Sequence, residues 1–305
     1  MIPYIHIADL PLGPFTVHPF GVLVALAVLV GTALARWRAP AFGVSVSQLD
    51  SFVAWVLIGG FVGAHVLDEI FYHPNEIVVV VDGQLKLTRP WSLLFLWEGL
   101  SSFGGFVGAL LGALAWRSFE LAPIARAGVR LQWPRRRACS QPVLPLCDLL
   151  LSVFPVAWIF GRAGCSVAHD HPGALAPADS MFAVAYPEHV PAFHGFVELI
   201  HGTAPRYDLG LLELMFSAVL AGIVALTWRR RLPLGTYVVI VSLAYAPVRF
   251  ALDFLRIKEG ESADLRYGNL TPAQWACILL FAFGLAMLAF MRTARGRALN
   301  DLSRA

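Results

Sequence analysis

The chain has 305 residues, 58% of them hydrophobic and only 14% charged, with a net charge of +3. A soluble domain carries about 25% charged residues, so a water-soluble globular fold is excluded, and so weak a positive charge gives no footprint for nucleic acid. The four cysteines, Cys139, Cys147, Cys165 and Cys277, lack zinc or redox spacing and predict no disulfide framework.

From the N-terminus, segment 1–19 contains no Lys or Arg and leads into a first apolar run, Phe20 to Ala35. The basic Arg36 and Arg38 follow that run, the reverse of a cleavable signal. A second run, Phe52 to Ala64, opens into GAHVLDEIFYHP, where His65, Asp68, Glu69 and Tyr72 share one helical face. Glu98 and two serines precede the third run, Phe103 to Trp116. Within it Gly104, Gly108 and Gly112 form small-xxx-small steps that let another backbone approach closely. The fourth run, Leu149 to Phe160, is followed by FGRAGCSVAHDHPG. Here Arg162, with Gly161 and Gly164 near it, is suited to present a guanidinium to a phosphate while the backbone approaches the headgroup. His169, Asp170 and His171 come next, but alternate spacing in a loop is a weak metal pattern, and no metal or other cofactor is expected. The fifth run, Leu209 to Trp228, carries an isolated acid, Glu213. The sixth, Leu234 to Tyr245, continues into YAPVRFALDFLR, where Tyr245, Arg249, Asp253 and Arg256 form one stripe. Arg249 and Asp253 pair at i, i+4, and the second arginine leaves positive charge over for an anionic ligand. The seventh run is Ala273 to Met291.

Some runs are shorter than the ~20 residues a span needs, yet Gly, Ser or isolated polar residues beside them extend each one. Unpaired backbone is not tolerated in lipid and no barrel-like alternation occurs, so all seven are read as helices. The predicted fold is all-α, a polytopic membrane protein of about seven helices. It forms a single integral-membrane domain over 1–305, with segments 73–90 and 167–206 as a possible small head. Fifteen basic residues fall in one set of loops: Arg36, Arg38, Arg117, Arg126, Arg130, Arg135, Arg136, Arg137, Arg229, Arg230, Arg231, Arg292, Arg295, Arg297 and Arg304. Only Lys86, Arg89, Arg206, Arg256, Lys258 and Arg266 fall in the other. This bias predicts an outside N-terminus, a cytoplasmic C-terminus and an inner-membrane, multi-pass location. The basic WPRRRACS segment then faces anionic lipid as a cytoplasmic anchor. Ionisable groups inside spans are functional candidates, and those of spans two, four, five and six lie toward the outer leaflet, facing headgroups and exported substrates. No phosphate loop is present.

At these segments the chain resembles the bacterial prolipoprotein diacylglyceryl transferases, from HPFG at 18–21 to TPAQW at the last span. The resemblance implies seven helices and transfer of a diacylglyceryl group from phosphatidylglycerol to the lipobox cysteine of an exported preprolipoprotein, releasing glycerol phosphate. It implies that Arg162 and Arg249 bind the phospholipid; Gly161, Gly164 and Arg256 are read as binding it with them, Tyr245 as a catalytic residue, and Glu98, Asp170, Glu213 and Asp253 as supporting the site. The chain departs from the family in several places. SSFGG stands for S-F-H-G-G, with Gly104 at the family histidine. Cys165 replaces a signature asparagine, Tyr207 to Gly210 replace a histidine–proline–serine–glutamine run, His65 replaces an arginine, and Phe20 a tyrosine. The substrate thiol reacts as thiolate and needs a proton acceptor. His169 and His171, beside the arginine signature, are favoured for that role over His65. Two other readings stand beside the transferase: a non-catalytic lipid-binding or assembly protein that uses the same arginines, and a membrane hydrolase centred on His169–His171.

Overall fold

A computed structural model describes residues 1–81, 84–94, 99–126, 129–188, 197–200, 202, 204–258, 265–293 and 296. Its helices in chain order are α1 (Pro19–Arg38), α2 (Val46–Phe71), the single turn α3 (Pro74–Ile77), α4 (Ser102–Ser118), α5 (Leu144–Ala168), α6 (Leu209–Leu226), α7 (Thr236–Leu252) and α8 (Pro272–Arg292). Each apolar run of the sequence coincides with one of the seven long helices, though the fifth run extends two residues past α6 and the sixth begins two residues before α7. Six helical segments are long and apolar enough to cross a membrane by length and composition. The other, α4, has 17 residues, roughly 25 Å at 1.5 Å per residue against a hydrocarbon core of about 30 Å.

Local chemistry fixes where several helices begin. At α2, Ser45 and Gln48 form a reciprocal capping box, each side chain accepting the other's backbone N–H, at 3.2 and 3.3 Å. Ser101 caps α4 by accepting from the Gly104 N–H at 3.1 Å, and Asp208 caps α6 by accepting from the Leu211 N–H at 2.9 Å. The outward faces are apolar: Leu29, Leu226 and Leu279 are 66%, 82% and 71% exposed, the arrangement expected of surfaces in contact with lipid tails.

The chain divides into two compact units. The first comprises Met1–Ala35, Leu150–Asp264 and Cys277–Thr293; the second Arg36–Leu149, Leu265–Ala276 and Ala294–Ala305. Within the second, α2 and α4 pack through glycines. A Cβ at Gly108 would lie 2.1 Å from the Gly59 carbonyl oxygen, and one at Gly104 2.3 Å from that of Gly63. Backbone touches backbone, as the small-xxx-small pattern anticipates.

The all-α expectation needs correction, because the helices dominate but strands accompany them. These are β1 (Ile2–Ile7), β2 (Leu10–Leu12), β3 (Phe15–Val17), β4 (Val78–Val81), β5 (Gln84–Leu87), β6 (Phe119–Arg126), β7 (Val129–Arg136), β8 (Pro172–Leu175), β9 (Ala183–Tyr186), β10 (Val197–Ile200) and β11 (Ala204–Asp208). In the first unit five of them make a mixed sheet in the order β10-β1-β9-β11-β8. β1 runs parallel to β9 and antiparallel to β10, so the N-terminal segment is stitched into the 172–208 region. Tyr4, Ala183, Val184 and Ala185 are buried in it, and because successive strand residues point to opposite faces, β9 is covered on both sides. The other strands form the two-stranded pairs β2-β3, β4-β5 and β6-β7.

Candidate active site

The site lies in the first unit, where α5, α6, α7 and the turn after α7 bring six ionisable residues together. Glu213 of α6 is at its centre and is 3% exposed. Its Oε1 accepts from the Trp158 indole at 3.1 Å and the Tyr245 hydroxyl at 2.5 Å, and lies 2.8 Å from Arg162 Nε. Its Oε2 lies 3.5 Å from Arg249 Nε. Arg249 also donates through Nη1 to Asp253, and Arg256 donates to the same Asp253 oxygen at 2.8 Å. Helix α7 ends at Leu252, so Asp253 lies in the following turn, where it receives arginines from both sides.

Three arginines therefore meet two carboxylates, which leaves one positive charge over. Arg162 is 3% exposed, its guanidinium 4.7 Å over the Trp158 ring. Its Nε contact with Glu213 is an ion pair off the hydrogen-bond direction, and Nη2 finds no partner among the described residues. A buried guanidinium donor left unpaired is costly, and an anionic oxygen would satisfy it.

Arg162 stands near the end of α5 and still within it, since the helix continues past the apolar run through FGRAGC to Ala168. Both neighbouring glycines are thereby redefined. A Cβ at Gly164 would lie 3.1 Å from Phe20, so its missing side chain is filled by α1 and not by a headgroup. At Gly161 a Cβ would make only ordinary contact with Trp158, at 3.7 Å.

Past Ala168 the chain reverses at His169, whose φ is +50°. The His169 ring holds this turn. Its Nδ1 is 2.8 Å from Asp208 and its Nε2 3.0 Å from the Ile5 carbonyl, while Tyr4 stacks on it at 3.8 Å. Both nitrogens face oxygen acceptors, so neither is left for a substrate proton. His171 differs. Its Nδ1 contacts Asp170 and its side chain is 25% exposed. The Leu209 N–H donates to the His171 carbonyl at 3.2 Å, fixing the backbone against the start of α6. The reversal brings a donor atom each of Cys165, Asp170 and His171 within 4.8 Å of one another. Arg162 Nη1 points at the Cys165 sulfur from 3.6 Å.

His65 belongs to the second unit, fully buried, its ring nitrogens 3.0 Å from the Ser92 carbonyl and 3.3 Å from that of Gly99. Glu69 accepts from the Ser92 hydroxyl at 2.8 Å, and Asp68 pairs with His73 at 3.2 Å. This face fastens the segment after α2. Glu98 lies outside the described residues. The sequence reading missed the central position of Glu213, the roles of Trp158 and Asp208, and the approach of Cys165 to His171. Glu213 and Asp208 gave one signal, as acids at or near the start of an otherwise apolar helix.

Six span-length helices define a multi-pass membrane protein, and within its first unit a buried cluster of three arginines is held by two carboxylates. The prolipoprotein diacylglyceryl transferase family matches residues 8–290, and the chain belongs to that family. Among its relatives is the phosphatidylglycerol–prolipoprotein diacylglyceryl transferase of Nitratidesulfovibrio vulgaris, 26% identical over 300 residues and 96% of each chain. The enzymes of the same name from Aromatoleum aromaticum and Methylococcus capsulatus are each 25% identical. They cover 92% and 91% of this chain, and 93% and 92% of their own lengths.

Proposed function

We propose that this chain transfers the diacylglyceryl group of phosphatidylglycerol to the lipobox thiol of exported prolipoproteins. It does so as a seven-span protein of the inner membrane, forming one integral-membrane domain with its N-terminus outside and its C-terminus in the cytoplasm. The observation that carries the reading is Arg162, a buried guanidinium whose Nη2 has no partner among the described residues, beside Arg249 and a shared carboxylate. A phosphodiester headgroup supplies the missing acceptor.

The chemistry accounts for the surplus charge. The substrate thiolate attacks the glyceryl carbon, a C–S bond forms, and the C–O bond to phosphate breaks. Its electron pair leaves on the phosphate oxygen. A phosphodiester with one negative charge becomes a monoester carrying about two, so charge develops where Arg162, Arg249 and Arg256 converge. Such preorganised donors act on the transition state more than on the bound lipid. Glu213 and Asp253 hold the forks in place, with Tyr245 and Trp158 orienting Glu213. The thiol enters at the corner of Cys165, Asp170 and His171. His171 is the candidate histidine we assign to it, because His65 and His169 have both nitrogens engaged.

Complementation of a strain lacking its own diacylglyceryl transferase, with lipoprotein mass as readout, tests the reading. The parent chain should restore the diacylglyceryl mass increment, and Arg162→Ala should not. No increment from a well-expressed parent chain would sink the assignment and favour a lipid-binding homologue.

A further inference from the structure

The corner where the thiol enters has a donor set that the arginine clamp does not use. Cys165 is buried in the last turns of α5, and its sulfur, an Asp170 oxygen and a His171 nitrogen lie within 4.8 Å of one another. The residues do not meet by helical proximity, since the chain must reverse at His169 for 170 and 171 to fold back on 165. That reversal is anchored twice, by the His169 ring on Asp208 and Ile5 and by the Leu209 N–H on the His171 carbonyl. Gly210 packs against Cys165 and Ser166, where a Cβ would lie 2.8 Å from the Ser166 nitrogen, which presses the start of α6 onto the same turn. Asp170 and His171 retain exposure, so they are not held inward by packing.

We propose that Cys165, Asp170 and His171 bind a zinc-class divalent cation whose open position takes the incoming substrate thiol. The inference rests on the transferase reading for the identity of that thiol. A thiolate and an imidazole select zinc-like ions over magnesium or calcium, which prefer all-oxygen shells. Tetrahedral ligands at 2.0 to 2.3 Å from zinc stand roughly 3.5 Å apart; Asp170 and His171, now in direct contact, part slightly to admit the ion, and the cluster as a whole already lies within 4.8 Å. Three protein ligands with a fourth place open is the pattern of a catalytic zinc. Arg162 donating toward the Cys165 sulfur is then an outer partner that holds this ligand as thiolate, while Glu213 balances the arginine.

The ion changes how the thiol is activated. On coordination the substrate S–H bond breaks, its electron pair goes to the metal–sulfur bond, and the proton leaves to water at the exposed Asp170 side. A metal-bound thiol is ionised at neutral pH, so His171 serves as ligand and no separate base is needed. The bound thiolate then attacks the glyceryl carbon as above, and the thioether product, a weaker ligand, dissociates.

The full-length chain, purified in detergent with any affinity tag removed, tests this by elemental analysis and by exchange with Co²⁺. The expected result is one ion per chain and a thiolate-to-cobalt charge-transfer band in the near ultraviolet, which strengthens when a lipobox peptide thiol is added. Cys165→Ser and His171→Ala should reduce bound metal to background while keeping the parent melting profile. Arg162→Ala should lose transfer and bind the metal about 10- to 100-fold more weakly without falling to background. Failure of the transferase reading would appear as intact metal binding with no response to lipobox thiol and no lipid transfer. The metal site itself is overturned if the parent chain holds no ion above background after incubation with Zn²⁺ and dialysis. It is equally overturned if both variants retain the parent's metal.

Discussion

Glu213 touches Trp158, Tyr245, Arg162 and Arg249 at once, so its neutralisation should be the most damaging single change in the site. Glu213→Gln removes the charge that offsets two buried arginines. Breaking such a pair costs about 3–5 kcal/mol, and we expect a marked fall in melting temperature along with loss of transfer. Arg162→Lys keeps a charge but not the fork or the stacking on Trp158; it should lower lipoprotein modification by about 10²-fold, the order expected for one lost transition-state donor. A lysine variant at parental rate would mean that a point charge is enough. The histidines separate in a different way. His169→Ala should lower thermal stability by unfastening Tyr4, Asp208 and Ile5, whereas His171→Ala should leave melting unchanged and abolish turnover. If the two variants exchange these effects, the assignment of the thiol corner is wrong. The stripe of Tyr245, Arg249, Asp253 and Arg256 was legible in sequence because its spacing is helical. Glu213 read as isolated because its partners lie on other helices, 55 residues away at Trp158 and 32 at Tyr245. Local periodicity carries no information on such contacts.

At the scale of elements, the pairing of α2 with α4 rests on glycine. A Cβ at Gly104 would meet the Gly63 carbonyl at 2.3 Å, so the close approach of the two helices needs glycine there. Beside it the Phe103 ring packs edge-on against Phe71 at 5.7 Å. Gly108→Ala, whose Cβ would sit 2.1 Å from the Gly59 carbonyl, should cost about 1–3 kcal/mol by overpacking. Thermal unfolding in detergent measures it, and an unchanged melting temperature would mean the helices can separate freely at this point. The strands were not legible beforehand, since most are three to six residues long and the central sheet assembles from segments nearly 200 residues apart. Within that sheet, burial above all, and then Asp208, raises the Tyr186 and Tyr4 phenols above their ordinary value of 10.0. Raised folded values mean the neutral phenols favour the folded state. That contribution is complete below pH 10 and is lost as pH rises further. Absorbance of tyrosinate should therefore show these two phenols ionising later than exposed tyrosines, and the late-ionising fraction should fall by two phenols in a Tyr4→Phe, Tyr186→Phe double variant.

For the whole molecule, the lipid reaction requires that the arginine cluster face the leaflet to which prolipoproteins are exported. Arg162, Arg249 and Arg256 stand at the ends of α5 and α7 opposite to Leu144 and Thr236. The basic-residue bias assigns the Leu144 and Thr236 ends to the cytoplasm, since Arg135 to Arg137 and Arg229 to Arg231 precede them. On the transferase reading, substrate chemistry and loop charge call for the same orientation, which is open to direct measurement. Cys139 offers a native probe of both: it is exposed, whereas Cys165 and Cys277 are buried and Cys147 is partly so. A membrane-impermeant maleimide should leave Cys139 unmodified in intact spheroplasts and label it in inverted vesicles, with Cys139→Ser removing the signal. Labelling in spheroplasts would put the basic loop outside, turn the arginine cluster toward the cytoplasm and separate it from any exported thiol. The transferase reading would then fail on geometry alone, whatever the lipid affinity of the arginines.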